Sequence, residues 1–191
     1  MTDRIKVGLV GIGNCFSGLI QGIEYYKKNP SQEVTGIIHD KLAGYGIHDI
    51  DFVCGFDVAE NKVGNTLMNA IYESPNMVNW IAKDDMPKTD AMIHESPLLD
   101  GVGIWVENKI NPLTSTKTIE QITDEAKKII KDTGVEIIVS YLPVGSDKVT
   151  EFLAPISYNP GGLDINSSIL EAAQLTLTYA YLVLFDTYTF L

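Results

Sequence analysis

The sequence predicts an α/β fold with a doubly wound parallel sheet, and three observations carry that expectation. A nearly all-apolar run at 5–10 leads without a break into a Gly-x-Gly-Asn turn, Gly11 to Asn14. Further short apolar runs recur at 51–56 and 135–140, separated by stretches with the 3.6-residue period of amphipathic helices. Strand, helix, strand, helix, strand in this order means right-handed crossovers and parallel strands covered on both faces.

The run at 5–10 hardly alternates, as expected of a strand buried on both faces. From Cys15 onward, Cys15, Leu19, Gly22, Ile23 and Tyr26 recur at helical spacing. That helix is expected to end near Lys27 and Lys28, with Pro30 beyond the stop. Residues 29–49 read as a long excursion with one short strand at 34–39. A second strand at 51–56 ends at Asp57. Residues 58–72 place Val63, Leu67, Ala70 and Ile71 on one helical face and read as a second helix. Residues 74–112 are interrupted by Pro75, Pro87, Pro97 and Pro112 and read as loop, with a strand at 91–94. A third helix at 118–133 lines up Ile119, Ile122, Ala126, Ile129 and Ile130, with Gly134 as its C-cap. It delivers the strand at 135–140 and the turn from Tyr141 to Ser146.

Two regions are expected: a dinucleotide-binding domain over 1–153 and an apolar tail over 154–191. The tail contains no Lys or Arg and is dense in Leu, Tyr and Thr. Ser168 with Glu171 has capping-box spacing. Glu171, Gln174 and Asp186 interrupt the apolar stretch, so a segment docked on the same domain is expected over a membrane span.

Composition narrows the function classes. With 191 residues, 45% hydrophobic and 20% charged, the chain has the make-up of a soluble globular protein. A net charge of −11 and a single arginine, Arg4, argue against nucleic acid or an anionic membrane as partner. Met1 to Arg4 lead straight into a strand with no apolar signal region, so a cytoplasmic location is expected. Cys15 and Cys54 lack metal-ligand spacing and read as reduced core thiols. His39, His48 and His94 share no motif. No metal site is expected, and no catalytic residue is assigned.

The cofactor site is the legible part. Gly11 lets the backbone bend sharply, and Gly13 lets a pyrophosphate approach where a side chain would block it. The helix that opens at Asn14 and Cys15 aims free N–H groups and its positive dipole end at the phosphates. The third glycine of the fingerprint is missing: Phe16 stands there, and Gly18 is the nearest glycine. Asp57, at the end of the second strand, is placed to accept both ribose hydroxyls of an adenosine and to repel a 2′-phosphate. NAD is therefore preferred over NADP. The separation from Gly13 is about twice the roughly 20 residues usual in this fingerprint, because the excursion intervenes. Ser140, Tyr141 and Gly145 leave the carboxyl end of the last strand, where a doubly wound sheet of this Rossmann-like type meets its cofactor.

These residues carry a resemblance. The blocks Val10-Gly11-Ile12-Gly13-Asn14-Cys15 and Ser140-Tyr141-Leu142-Pro143-Val144-Gly145-Ser146, with 21–26, 52–58, 62–64 and 99–103 between them, resemble the prokaryotic branch of inositol-3-phosphate synthase (myo-inositol-1-phosphate synthase). The matching blocks run collinearly over residues 5–153. The resemblance implies an NAD-dependent isomerase that converts D-glucose 6-phosphate to 1L-myo-inositol 1-phosphate by oxidation, aldol cyclisation and reduction. It also implies a role in inositol and phospholipid biosynthesis, and a homotetramer.

In the family, the lysines that stabilise the developing enolate lie in a second half with the substrate and tetramerisation domain. Residues 154–191 align with no block of that half, so a fold truncated relative to the family is expected. The 191-residue chain alone is expected to be inactive in turnover. Two alternatives stay open: a stand-alone NAD-binding or assembly module, and another NAD oxidoreductase acting on a small polar substrate.

Overall fold

A computed structural model describes residues 4–30, 39, 41–99 and 108–142. At its centre is strand β1 (Ile5–Val10), whose last four residues are buried. It pairs in parallel with β4 (Ile50–Asp57) on one side and β6 (Ile137–Ser140) on the other. A fourth parallel strand, β5 (Met92–Glu95), pairs with β4, so the sheet order is β5-β4-β1-β6. This is the order of the first four strands of the doubly wound dinucleotide fold. Its reversal point lies between β1 and β6.

Two apolar layers cover the sheet, one on each face. Val7, Leu9, Ile12 and Ile93 pack with Phe16 and Ile20 of helix α1 (Asn14–Lys28) and with Leu67 and Ala70 of the short helix α2 (Leu67–Ala70). On the other face Val10, Cys54 and Phe56 pack with Ala126 and Ile130 of helix α3 (Ile119–Thr133). Alternate residues of β1 thus enter opposite cores, which is why its sequence shows no polar alternation.

Helix α3 is built from local signals. The Thr118 side chain accepts the Gln121 N–H, while the Gln121 side chain accepts the Thr118 N–H. Gly134 closes it in the left-handed conformation, with φ of 69°. Helix α1 follows a different logic. Gly13 is its N-cap and supplies no side-chain hydrogen bond, while Lys27 and Lys28 occupy its last turn.

Three expectations need correction. Residues 58–72 do not form one helix: only α2 is α-helical, and 59–64 form turns. The backbone there is drawn to β5 instead. Gly64 N–H donates to Ile93 O, Ile93 N–H to Asn65 O, and Leu67 N–H to Ala91 O. Gly64 itself has φ of +84°, which no α-helix accommodates.

The buried face of α1 is rotated by about a residue from the expected one. Phe16, Ser17, Ile20, Gln21, Ile23 and Glu24 are buried, whereas Leu19 is exposed. Bulky Phe16 and Ile20 fill the core, and polar Ser17 and Gln21 are buried because they bond each other. The thiols differ for the same reason: Cys54 is buried in the sheet, but Cys15 is exposed rather than a core thiol.

An unforeseen hairpin, β2 (Lys41–Leu42) and β3 (Tyr45–Gly46), occupies part of the excursion. Its two-residue turn has positive φ at Ala43 and Gly44, the geometry that matches strand twist. The strand expected at 34–39 lies outside the described residues except for His39, and so does the tail at 154–191. No helix among the described residues is long and apolar enough to cross a membrane.

Candidate functional site

The turn between β1 and α1 sits at the carboxyl end of the central strand, beside the reversal point. Gly11 has φ of +79°, and a Cβ added there would stand 2.8 Å from Leu142 Cδ2. Glycine is required on both counts. Gly11 N–H donates to Phe56 O and Gly13 N–H to Gly11 O, which folds the turn tightly against β4. Gly13 differs from Gly11: its φ is −92°, and nothing lies within 4 Å of an added Cβ. Its bare Cα faces open space rather than a neighbour. Asn14 and Cys15, the first two residues of α1, are exposed beside it. Phe16, at the missing fingerprint glycine, is fully buried in the α1 core layer.

Ser140 and the two residues after it lie on the other side of the turn. Ser140 is in register with Val10, and Tyr141 N–H donates to Val10 O at 3.2 Å. The Tyr141 ring packs on Phe16 with centroids 4.5 Å apart. Burial pushes the Tyr141 hydroxyl pKa up, and the nearby Cys15 thiol adds to the shift. Gly11, Gly13, Asn14, Cys15, Ser140 and Tyr141 are therefore gathered at the carboxyl ends of β1 and β6. Gly145 lies outside the described residues.

Asp57 is brought to the same turn, but its carboxylate is already engaged. Oδ2 accepts the Ile12 N–H at 2.7 Å, and Oδ1 accepts the N–H groups of Val58 and Ala59 at 2.8 and 2.9 Å. The residue is only 7% exposed. Oδ1 thus has its two acceptor positions filled and Oδ2 keeps one, which narrows the expectation that the carboxylate accepts both ribose hydroxyls to a single free acceptor position.

Sequence reasoning missed two members of this constellation. Lys62 is 3% exposed, and its Nζ donates to Ile12 O at 2.7 Å and to Asn76 Oδ1 at 3.2 Å. Asn76 Nδ2 also donates to Ile12 O, at 3.0 Å. Burial pushes the Lys62 ammonium pKa down, opposed in part by the charges of Asp57 and Glu73. The loop that carries Asn76 is fastened to α1. Asn14 Oδ1 accepts Met77 N–H, and Gln21 Oε1 accepts the N–H groups of Trp80 and Ile81. The block at 62–64 held the only sequence hint of Lys62, and nothing local marked Asn76.

His94 lies at the carboxyl end of β5 and packs against Phe56, its partner on β4. Burial pushes its pKa down. It is not part of the turn. Among the described residues no group of three His, Cys, Asp or Glu side chains is placed to hold a metal ion.

No protein-family model matches the chain. Among solved structures, it superposes on the crystal structure of Ari2 with a TM-score of 0.65 at 21% identity, covering 81% of this chain and 44% of that one. It also superposes on a myo-inositol-1-phosphate synthase-related protein from Thermotoga maritima, with a TM-score of 0.55 at 20% identity, covering 81% and 40%. These likenesses show the fold.

Sequence relatives go further. The chain is 36% identical over 165 residues to inositol-3-phosphate synthase of Mycolicibacterium smegmatis, covering 86% of this chain and 43% of the relative. It is 34% identical over 167 residues to the enzyme of that name from Mycobacterium tuberculosis, covering 87% and 43%. With the one from Corynebacterium glutamicum it shares 36% identity over 170 residues, covering 87% and 44%. The chain thus spans less than half the length of the curated relatives it matches, and over that stretch it is a homologue of the inositol-3-phosphate synthases.

Proposed function

We propose that the turn at 11–14 binds NAD, and that the chain is the dinucleotide-binding part of an inositol-3-phosphate synthase. The observation that carries this reading is the opening of α1. It starts at the reversal point of the sheet with no side-chain cap, beside a glycine whose missing side chain leaves open space. An uncapped helix N-terminus with room in front of it fits an anionic diphosphate.

In this reading the N–H groups of Asn14 and Cys15 donate to phosphate oxygens, and Gly13 admits them. Tyr141, seated on Phe16, walls the β6 side, and Ser140 offers a hydroxyl at the strand end. NAD supplies a reversible hydride acceptor when bound. The reaction of the whole protein is proposed to be the isomerisation of D-glucose 6-phosphate to 1L-myo-inositol 1-phosphate, in the cytoplasm and within a homo-oligomer.

Closing the sugar ring needs fixed positive charge beside an enolate, and loss of one such donor typically costs about 10²–10³ in rate. The sequence has no Lys or Arg beyond Lys148, and Lys62 is committed to Ile12. The 191-residue chain is therefore proposed to bind NAD without turnover, as a binding module does. Calorimetric titration with NAD, and phosphate release after periodate oxidation of a glucose 6-phosphate incubation, test both parts. Binding without product is expected. Absence of NAD binding would overturn the cofactor reading, and turnover near that of a full-length relative would overturn the other.

A further inference from the structure

Ile12 is the middle residue of the turn, and both of its main-chain groups are held by charged side chains that are themselves buried. Asp57 takes its N–H, and Lys62 takes its C=O together with Asn76. Lys62 makes no ion pair among the described residues, and its burial weakens the charged form. A buried ammonium is costly, and an apolar side chain of the same length would fill the space with no such penalty. A purely structural role accounts poorly for a cation here.

We infer that Lys62 is a positioning residue for the dinucleotide turn, holding the Ile12–Gly13 peptide with its oxygen inward so that no carbonyl opposes the incoming phosphates. This rests on the reading that the turn binds a dinucleotide. Two effects follow from the geometry. The first is orientational. Were the Ile12–Gly13 peptide to flip, its partly negative oxygen would turn toward the space in front of Gly13. Lys62 and Asn76 fix that oxygen on the opposite side.

The second effect is electrostatic. Asp57 places a buried negative charge directly behind the turn, in a chain whose net charge is already −11. Left alone, that charge would repel a diphosphate across a weakly screening interior. The ammonium of Lys62, bonded to the other side of the same residue, offsets it. The relay through Asn76 extends to the helix: the loop bearing it is tied to Asn14 and Gln21 of α1, so the clamp and the helix N-terminus are aligned as one unit.

The test uses the full 191-residue chain and the substitution Lys62→Met, which keeps an unbranched side chain of similar length. NAD affinity is measured by calorimetry, and amide hydrogen exchange is followed in the ligand-free protein. Loss of a hydrogen bond from a charged group predicts affinity lower by roughly tenfold to a hundredfold. Exchange at Gly13, whose N–H belongs to the held peptide, should accelerate while amides of β4 and α3 keep their protection. A general loss of stability would speed exchange throughout and would not single out the turn.

Asn76→Ala, which removes the other donor to Ile12 O, undergoes the same two measurements with the same expectation, so a Lys62→Met protein that fails to fold leaves the assignment testable. Wild-type binding with unchanged affinity in the variants, or unchanged exchange at Gly13, overturns the role of Lys62 alone. A wild-type chain that binds no NAD overturns the dinucleotide reading and this role with it.

Discussion

The main-chain N–H of Ile12 donates to Oδ2 of Asp57 at 2.7 Å, across 45 residues of sequence. The acidic residue at the end of the second long strand is therefore part of the turn itself. Asp57→Ala leaves three main-chain donors without their acceptor. Each such loss costs about 1–3 kcal/mol in a buried setting, so urea denaturation should show destabilisation of at least that size. Affinities for NAD and NADP should fall together. A variant of unchanged stability that only gains NADP affinity would return Asp57 to a purely ribose-reading role.

The two glycines of the turn should respond in opposite ways. Gly11→Ala forces a side chain into a left-handed residue and against Leu142, with strain of about 1–2 kcal/mol before the clash is counted. It should lower the unfolding midpoint. Gly13→Val meets open space and an extended backbone, so its stability should stay near wild type while NAD binding is lost. Normal NAD binding by Gly13→Val would place the cofactor elsewhere.

His94 gives the fold a pH dependence with a defined sign. Its folded pKa lies below the ordinary 6.5, chiefly through burial. Between the folded and unfolded values the unfolded chain binds the extra proton. The stability it contributes is thus complete above about pH 6.5 and is lost as pH falls through the folded value. His94→Gln should flatten the fall in stability below about pH 6.5, measured by urea titration at each pH. An unchanged slope would assign the dependence to other groups.

The thiols should separate cleanly. Cys15 is exposed at the start of α1, whereas burial in the sheet raises the pKa of Cys54. A disulfide reagent at pH 8 should label one thiol per chain rapidly, and the second only after denaturant is added. NAD should slow labelling of Cys15. Rapid labelling of both thiols in the native protein would contradict the placement of Cys54.

Much of this architecture is written locally. The all-apolar run before Gly11, the Thr118 and Gln121 box, and Gly134 as a left-handed cap each act within a few residues, so the strand and α3 could be read directly. The clamp could not. Lys62 reaches Ile12 across 50 residues and Asn76 across 64, and a local pattern carries no trace of such bonds. The helix expected at 58–72 failed for a related reason. Val63, Leu67, Ala70 and Ile71 do keep helical spacing, but the N–H groups of Gly64 and Leu67 bond to the segment around β5. Asp57 was found by its position and misjudged in its bonding, because strand-end placement does not reveal which donors arrive beside it.

The same long-range bonds order events during synthesis. Gly11, Ile12 and Gly13 are made before the groups that hold Ile12, which belong to Asp57, Lys62 and Asn76. Until Asn76 has been added, the clamp on the Ile12 carbonyl is incomplete. Closing loops of this length comes late in folding. A chain halted before residue 76 should therefore carry the whole glycine motif with its clamp unfinished, and the last bonds to Ile12 and to the opening of α1 should form only as the loop that begins at Asn76 becomes available.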